Sequence, residues 1–560
     1  MKKLILTFVG IGFLVYIQSL FNDFVWDDIA GQVVNNQSLY GFDKIPSILF
    51  YHWSPYYKPL FYLALNFLLT IFGPNPFPFH LVQLIIHIAN SILIFILFSR
   101  FFKKNISFIL ALVFLVHPAI SEAVLYISAL QDVLYPFFGL IALNLAIVER
   151  NRKHKIAVFL FLALSILSKE TGIAFLILAV IYKLLFDKFA LKKYLIYSGI
   201  LITLYSILRF GILNISFFKP EFQSIWTYDV ILPTRILSIP KIIFSYLTLF
   251  VWPDKLQIFQ LWWVRTINFL DFYLPLLIVL SVFLIIFFYG FRIFSKVKKE
   301  SFPYFFFISL IVIGFLLHSQ IIALDMTLAE RWFYLPLIGI LGALGYILNR
   351  IEINKRRLRI LYLVSAVIIL LLSARTFIRS FDWKDHNNLV LHDFVINREN
   401  PGVYYLLADY YLFSKQYSKS EEVYSSLSKM IPRNESLDNA LFSLELHKGN
   451  IKEAEEILRN SDKKNIKTRI NYAYLLLSID PSKAKLFLLE SLKHFPESYE
   501  LNFIMGLTEY KLGNKEKALK FISKAKALNP SKITEYNLIL NNIEDSGILN
   551  IKYGNSLNLN

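Results

Sequence analysis

The sequence predicts an all-α protein in which a polytopic, helical membrane domain is followed by a domain of helical repeats. Of its 560 residues, 56% are hydrophobic and 17% aromatic, and the mean hydropathy is +0.53. Ordinary soluble domains are far less apolar, so most of this chain is expected to lie in lipid. From about Pro401 the sequence changes to mixed charge with helical periodicity, which predicts a separate soluble part.

The N-terminal apolar run, residues 4–21, is expected to be a retained membrane anchor. It is followed by the bulky, acidic stretch LFNDFVWDD and not by a small-residue cleavage site. The chain has no cysteine, which excludes disulfides and thiolate metal sites. Its formal charge is +18, but lysine and arginine collect in the cytoplasmic loops of multi-pass proteins, so we predict no nucleic-acid partner.

Clusters of lysine and arginine divide the membrane part into spans. The clusters occupy residues 2–3, 103–104, 150–155, 183–193, 292–299 and 350–359. Placing all of them inside predicts about eleven spans, near residues 4–21, 79–101, 105–120, 133–149, 155–168, 172–186, 193–211, 272–296, 303–324, 334–350 and 357–374.

Two apolar stretches, 57–73 and 235–251, do not fit this parity. We interpret them as interfacial or re-entrant helices; if either one spans, the topology of everything after it inverts. The predicted membrane domain is residues 1–380, with a cytoplasmic N-terminus and a first outer loop at 22–78 that contains interfacial helices.

Residues 401–540 carry a helical repeat. A small residue stands before each apolar pair of a second helix, at Ser420, Ala454, Ala484 and Ala518, with intervals of 34, 30 and 34 residues. Glycines and prolines punctuate the repeat at Gly449, Gly506, Gly513, Pro432, Pro496 and Pro530. This spacing is typical of tetratricopeptide repeats, in which small residues let paired helices approach and stacked pairs share a core. We expect a tetratricopeptide α-solenoid, with a linker at 381–400 and a polar tail at 541–560; a plain helical bundle is the alternative.

Charged residues collect at the span ends that this topology assigns to the outer face. They are Asp27, Asp28, Lys58, His80, His117, Glu122, Asp132, Lys169, Glu170, Arg235, Glu330 and Arg331. Charged groups near membrane spans are rare and usually functional. Carboxylates beside cations at a lipid–water boundary suit transfer from a lipid-linked phosphate to an acceptor hydroxyl. A carboxylate can take the hydroxyl proton, and arginine or lysine can balance the phosphate charge.

Several of these residues also have a structural interpretation. The pair Asp27 and Asp28 fits a helix cap followed by a solvated loop, and His117 fits a cap at a span end. Lys169 and Glu170 fit a local ion pair.

Arg331 is the best candidate for binding phosphate, because guanidinium holds phosphate in a bidentate manner; an interfacial anchor would look the same. His80 and His87 share a helix face, but without a second ligand pair we predict no metal ligands. A divalent cation near the acidic pair is compatible with the spacing and not required by it.

An ordered set of motifs resembles a known family. The motifs are FVWDD, YKPLFYLALN, FHLVQLIIH, HPAISEAVLYISALQDVLY, LSKETGIAF and AERWFYLPLIGI, followed by the repeats. Their order resembles the transmembrane and tetratricopeptide-repeat O-mannosyltransferase-like proteins of the GT-C glycosyltransferase class. The resemblance implies a multi-pass transferase that uses a polyprenyl-phosphate-linked sugar, inverts the anomeric carbon and employs a first-loop carboxylate as base.

Carried onto this chain, the resemblance makes Asp27 and Asp28 the catalytic candidates, without choosing between them. The substrate-binding candidates are then Lys58, His80, His117, Glu122, Asp132, Lys169, Glu170 and Arg331. The chain departs from the family pattern at Lys58-Pro59 and Gln131-Asp132, where the family often has arginine, and these positions bear on the donor head group. The resemblance also assigns residues 375–389 to a hinge between the last span and the first repeat.

We therefore expect an integral membrane transferase, in a bacterial inner membrane or the endoplasmic reticulum, with the repeats on the outer (periplasmic or luminal) face. The expected partners are the lipid bilayer, a polyprenyl-phosphate-linked sugar, a protein or glycan acceptor, and a protein bound by the repeats. No cofactor is required. Two other classes stay open: a non-catalytic membrane scaffold, and a polysaccharide polymerase, ligase or transporter. A transporter would show internal pseudo-symmetry, which we do not find in the membrane half.

Overall fold

A computed structural model of the chain describes residues 2–29, 33–51, 56–149, 151–213, 215, 230–351 and 355–528. The described residues form α-helices joined by short 3-10 and π-helical turns. They divide into two compact units. The first contains the described residues up to 42, from 56 to 215 and from 230 to 397, and the second those from 43 to 51 and from 398 to 528.

Sixteen α-helices precede residue 398 in the described part of the chain, of which only α2 belongs to the second unit. They are α1 (Lys2–Tyr16), α2 (Ile45–Ile48), α3 (Pro59–Phe72), α4 (Pro76–Phe98), α5 (Lys104–Val116), α6 (Glu122–Leu125), α7 (Leu130–Ile147), α8 (Arg152–Ser168), α9 (Ile173–Phe186), α10 (Lys188–Ser206), α11 (Leu232–Val251), α12 (Leu274–Lys296), α13 (Phe302–Leu317), α14 (Tyr334–Asn349), α15 (Lys355–Asp382) and α16 (His386–Ile396). Polar side chains start several of them, since Asn151 and Asp187 each accept a hydrogen bond from the first turn of α8 and α10.

Nine helical segments of the described residues are long and apolar enough to cross a membrane. They are Lys2–Phe21, Pro76–Phe98, Ile127–Ile147, Lys188–Ile212, Leu232–Val251, Phe269–Lys296, Lys299–Leu317, Glu330–Asn349 and Arg359–Asp382. Eight of them fall on predicted spans. The other three predicted spans are also helices, α5, α8 and α9, but with 13, 17 and 14 residues they are shorter than the roughly 20 residues of a straight crossing.

The two stretches assigned to the interface differ from each other. The first, α3, has 14 residues, which is short for a crossing. The second, α11, has 20 residues and enough hydropathy to span, although Pro240 interrupts its hydrogen bonding. The chain is therefore a helical, multi-pass membrane protein, and the orientation of its spans stays a prediction.

Helices α13 and α14 approach closely because α14 presents glycines to its neighbour. A Cβ atom added at Gly342 would lie 2.1 Å from the ring of Phe307, and one at Gly339 would lie 2.8 Å from the backbone nitrogen of Ile311. Small residues allow such close helix packing in membranes. This contact fixes α14, whose N-terminal turn carries Glu330 and Arg331.

The second unit contains eight helices after residue 398. They are α17 (Pro401–Phe413), α18 (Tyr417–Met430), α19 (Glu435–Lys448), α20 (Ile451–Asn460), α21 (Ile466–Ile479), α22 (Pro481–His494), α23 (Tyr499–Lys511) and α24 (Lys515–Leu528). Each helix packs on its successor. The four small residues that define the predicted repeat are fully buried, one in each second helix of a pair. This arrangement is compatible with tetratricopeptide repeats; Pro530 and the predicted tail at 541–560 lie outside the described residues.

Residues 381–397, most of the predicted linker, belong to the first unit. Helix α15 runs to Asp382, and the next residue, Trp383, has no exposed surface. Helix α16 follows within the same unit. The segment expected to act as a hinge, residues 375–389, is therefore mostly helical and contains the buried Trp383, and its role as a hinge stays a prediction.

Candidate active site

The predicted acidic pair, Asp27 and Asp28, lies on a short 3-10 turn, Trp26–Asp28. The carboxylate of Asp28 accepts hydrogen bonds from the backbone nitrogen of Val25 (3.1 Å) and from the backbone nitrogen and hydroxyl of Ser128 (2.8 and 2.5 Å). Asp28 has no exposed surface. Burial raises its pKa to about 7, against the lowering effect of the Ser128 bonds. Asp28 thus fastens the first loop to the turn at 127–129.

Asp27, its neighbour, keeps part of its surface exposed. Burial raises the pKa of its carboxyl group, whereas the hydroxyl of Tyr126 and the guanidinium of Arg331 lower it. Asp325 and Lys58 are also close enough to act on it electrostatically. Asp27 is therefore a carboxylate with a raised proton affinity among groups of both charges.

Arg331 lies in the 3-10 turn Glu330–Phe333, directly before α14, and acts electrostatically on Asp27. Its guanidinium forms an ion pair with the fully buried Glu122, whose other oxygen accepts a hydrogen bond from the Arg331 backbone nitrogen at 2.9 Å. Its Nε lies 3.9 Å from Oδ2 of Asp132, and its charge lies 5.9 Å from the ring centre of Tyr126. The predicted carboxylates Glu122 and Asp132 therefore orient the predicted arginine.

Asp132 joins Arg331 to Lys169. Its Oδ1 accepts a hydrogen bond from Lys169 Nζ at 2.5 Å. Asp132 is 2% exposed and Lys169 is 19% exposed, so the lysine retains access to a ligand.

Glu170 supports the segment that precedes Lys58. It forms an ion pair with Arg209 and accepts hydrogen bonds from the backbone nitrogen of Tyr57 (3.2 Å) and the hydroxyl of Tyr205 (3.1 Å). Glu170 therefore holds the backbone before Lys58 in position. Its partner Arg209 is a candidate site residue that the sequence analysis missed. A lone arginine within an apolar span was the available signal.

Lys58 is a buried cation whose side chain packs on aromatic rings. Its ammonium lies 4.3 Å from the ring centre of Phe61 and 5.5 Å from that of Tyr62. Among the described residues, no carboxylate lies within ion-pair distance of it. Burial lowers its pKa to about 7, and the charge of Lys169 acts in the same direction. Lys58 is thus available for an anionic ligand.

Tyr56 and Asp325 are two further site residues that the sequence analysis missed. The Tyr56 hydroxyl donates to Asp325 Oδ1 at 2.6 Å, although the residues are 269 positions apart. Asp325 lies in the loop after α13 and acts electrostatically on Asp27 and Lys58. Its only sequence signal was a carboxylate beside a predicted span.

The predicted histidines are buried against backbone groups, and their role in substrate binding stays a prediction. His117 Nδ1 accepts a hydrogen bond from Ala119 at 3.2 Å, and its Nε2 lies 3.1 Å from the carbonyl oxygen of Phe250. Burial lowers the pKa of His117 to about 4. His80 is buried against the backbone of Asn22 and Asp23.

His87, the other histidine of that helix face, contacts the Tyr334 hydroxyl at 2.9 Å and the Leu115 carbonyl at 3.0 Å. Within the described ranges no group of three or more His, Asp or Glu side chains is arranged to hold a metal ion. Arg235 donates to the carbonyl oxygen of Gln320 at 2.9 Å and so holds the loop after α13.

Glu330 lies in a second buried charged group, separate from that of Arg331. Its carboxylate accepts a hydrogen bond from the backbone nitrogen of Gln257 and lies 3.6 Å from Nη2 of Arg379. Both charged side chains are completely buried, and Arg379 also pairs with Asp382 at 3.1 Å. The adjacent residues Glu330 and Arg331 thus enter two different charge clusters.

Comparison with known proteins bears on the function of the candidate site around Arg331. Residues 55–211 match the sequence model of a family described as dolichyl-phosphate-mannose-protein mannosyltransferase. The matched part contains Lys58, Glu122, Asp132, Lys169 and Glu170.

Similar proteins include the protein O-mannosyl-transferase F38B6.6 of Caenorhabditis elegans, which is 25% identical over 72% of this chain and 59% of its own length. Protein O-mannosyl-transferase TMTC1 is 32% identical in Mus musculus (24% of this chain, 15% of that protein) and 30% identical in Homo sapiens (31% and 23%). The chain thus spans less than two thirds of the length of these relatives. This chain is a helical membrane protein that is similar, over 72% of its length, to a protein O-mannosyl-transferase.

Proposed function

We propose that the chain transfers a sugar from a polyprenyl-phosphate-linked donor to an acceptor hydroxyl group on the outer face of the membrane, with Asp27 as general base. The observation that carries this proposal is the contrast within the acidic pair. Asp28 is fully buried and hydrogen-bonded to Ser128, whereas Asp27 keeps exposed surface beside Arg331 and Lys58. The sequence analysis did not choose between the two aspartates, and this contrast favours Asp27.

The proposed reaction is a single displacement. The acceptor oxygen forms a bond to the anomeric carbon while the bond from that carbon to the phosphate oxygen breaks. The hydroxyl proton passes to Asp27, whose raised pKa suits it to accept a proton. Attack opposite to the leaving phosphate inverts the anomeric configuration.

Arg331, Lys58 and Lys169 are proposed to bind the phosphate and to stabilise the charge that it gains on leaving. Arg331 is held in place by Glu122, and Lys169 by Asp132. Lys58 brings a positive charge that no ion pair among the described residues neutralises. Three cations carry more charge than one dianionic departing phosphate. The carboxylates of Glu122 and Asp132 offset the excess positive charge.

The donor sugar is proposed to be mannose and the acceptor a serine or threonine hydroxyl of a protein. This choice rests on the similarity to a family of dolichyl-phosphate-mannose-protein mannosyltransferases and to protein O-mannosyl-transferases. The helix pairs α17–α24 are proposed to form tetratricopeptide repeats that recruit the acceptor or a partner protein.

The proposal is tested with the detergent-solubilised full chain, dolichyl-phosphate-mannose carrying a labelled sugar, and a pool of serine- and threonine-rich peptides. Replacing Asp27→Asn should lower kcat by about 10²- to 10⁴-fold, as expected for loss of a general base. The matched control Asp43→Asn changes an exposed aspartate that pairs with Lys44, and should leave kcat unchanged.

Retained transfer by a folded Asp27→Asn variant would refute the assignment of the base. A product with retained anomeric configuration would refute the single displacement.

A further inference from the structure

The residue directly before Asp27 has an unusual backbone conformation. Trp26 has a φ of 49°, in the left-handed region that bulky residues rarely adopt because Cβ meets the following carbonyl oxygen. Such strain persists only where surrounding structure holds it, and it collects at functional sites. The contacts that surround Trp26 therefore matter for where Asp27 points.

One of these contacts, together with two more to the same loop, comes from residues 380–386, which lie at and just beyond the C-terminal end of the last candidate span. Three hydrogen bonds join this segment to the first loop. They are Trp26 N to His386 Nδ1 (3.3 Å), Asp23 N to Lys384 O (2.8 Å) and Asn22 Nδ2 to Ser380 O (2.9 Å). The loop is thus attached at three residues, the last of which is the strained Trp26.

Aromatic contacts also join Trp26 and residues 380–386 to Tyr126, whose hydroxyl lies beside Asp27. The Trp26 ring stacks on Tyr126 with centroids 5.8 Å apart. Tyr126, whose hydroxyl acts on the Asp27 carboxylate, contacts the fully buried Trp383 at 5.5 Å. A second contact of the Trp26 ring, with Phe259 at 5.6 Å, limits its rotation.

We propose that residues 380–386 position Asp27 for proton removal, with His386 as the positioning residue that holds Trp26 in its left-handed conformation. The inference rests on the proposed function of Asp27. His386 acts through the Trp26 backbone, and it can accept this hydrogen bond only with Nδ1 unprotonated. The link after the last span thereby becomes part of the catalytic apparatus.

The test compares two replacements of His386 in the same mannosyl-transfer assay. An asparagine oxygen occupies nearly the position of Nδ1, so His386→Asn retains the acceptor, whereas His386→Ala removes it. We expect His386→Ala to lower kcat about 10- to 100-fold, as misplacement of a catalytic group does. The KM for dolichyl-phosphate-mannose should change less than about twofold, because the phosphate-binding cations are unaffected, and His386→Asn should recover most of the lost kcat.

Val395→Ala is the matched control, because it shortens an exposed side chain of the same helix, α16. It should retain full kcat. If His386→Ala does not fold, His386→Gln replaces it: glutamine extends its oxygen towards the Nε2 position and should be less active than asparagine.

Equal kcat for His386→Ala, His386→Asn and the unmodified chain would overturn the positioning role, as would equal activity of the asparagine and glutamine variants. A parallel rise of KM would also overturn it, since that would indicate a general disturbance of the site. Failure of the proposed function itself is recognised separately, because Asp27→Asn would then remain active.

Discussion

Replacing Lys58 with methionine should make the protein more stable in the absence of ligand and less responsive to a lipid phosphate. Methionine keeps an unbranched side chain over Phe61 and Tyr62, so the packing of the aliphatic part is retained. What it removes is a cation that is only 5% exposed. Ligand-binding sites commonly reduce the folding stability of a protein, because polar groups arranged for a ligand lack a partner when the ligand is absent.

The magnitude follows from the pKa of Lys58. Burial lowers this pKa from 10.5 to about 7, and one pKa unit corresponds to about 1.4 kcal/mol. At pH 7 the presence of Lys58 in the folded protein should therefore cost up to about 4 kcal/mol relative to the unfolded chain. Between about pH 7 and 10.5 the folded protein binds fewer protons at Lys58 than the unfolded chain does. Its stability should thus rise with pH in this window, and the methionine variant should lack that rise.

The assay is thermal unfolding in detergent, with and without dolichyl phosphate. Lys58→Met should raise the unfolding temperature by at least about 3 °C at pH 7, whereas dolichyl phosphate should raise it clearly less in the variant than in the unmodified chain. Lys255→Met, which replaces an exposed lysine of the same unit, should change neither value. A less stable Lys58→Met variant, or equal stabilisation of both proteins by dolichyl phosphate, would show that Lys58 is a structural cation.

Three further outcomes are expected. Arg331→Lys should lower kcat/KM for dolichyl-phosphate-mannose by about 10²-fold in steady-state kinetics, because an ammonium cannot replace a bidentate guanidinium; unchanged kinetics would remove Arg331 from the phosphate site. Since burial raises the pKa of Asp28 to about 7, the stability of the unmodified chain relative to Asp28→Asn should fall as pH rises from about 4 to 7. A flat difference in unfolding temperature across that range would contradict the burial argument. Gly342→Ala places a Cβ atom 2.1 Å from Phe307 and should cost about 1–3 kcal/mol in denaturant unfolding, whereas Gly10→Ala, with open space around it, should not.

The helical architecture was predictable because its signals are local. Apolar runs and clusters of lysine and arginine predicted eleven spans, and each of them is helical in the structure. The 34-, 30- and 34-residue intervals located four small residues that are all buried. Span length was less predictable, since α5 and α9 are shorter than the predicted spans, whereas α8 begins three residues earlier than predicted. Helix ends depend on turn hydrogen bonds, such as the Nδ1 cap of His117, which hydropathy does not report.

The site was predictable only where a charge stood out against an apolar background. Glu122, Asp132 and Arg331 were identified on that ground, and the structure brings them together. The pairing of Tyr56 with Asp325 joins distant segments and has no local pattern. Whether a charged residue binds a ligand or another residue is decided by its neighbours in space, as the ion pair of Glu170 with Arg209 illustrates.

The separation of Glu330 and Arg331 into two charge clusters limits how the molecule can move during turnover. A rotation or axial slide of α14 would withdraw both side chains from their partners at once and leave buried charges uncompensated on each side. Helix α14 should accordingly keep its position throughout turnover. Any conformational change during the proposed turnover should therefore leave α14 in place.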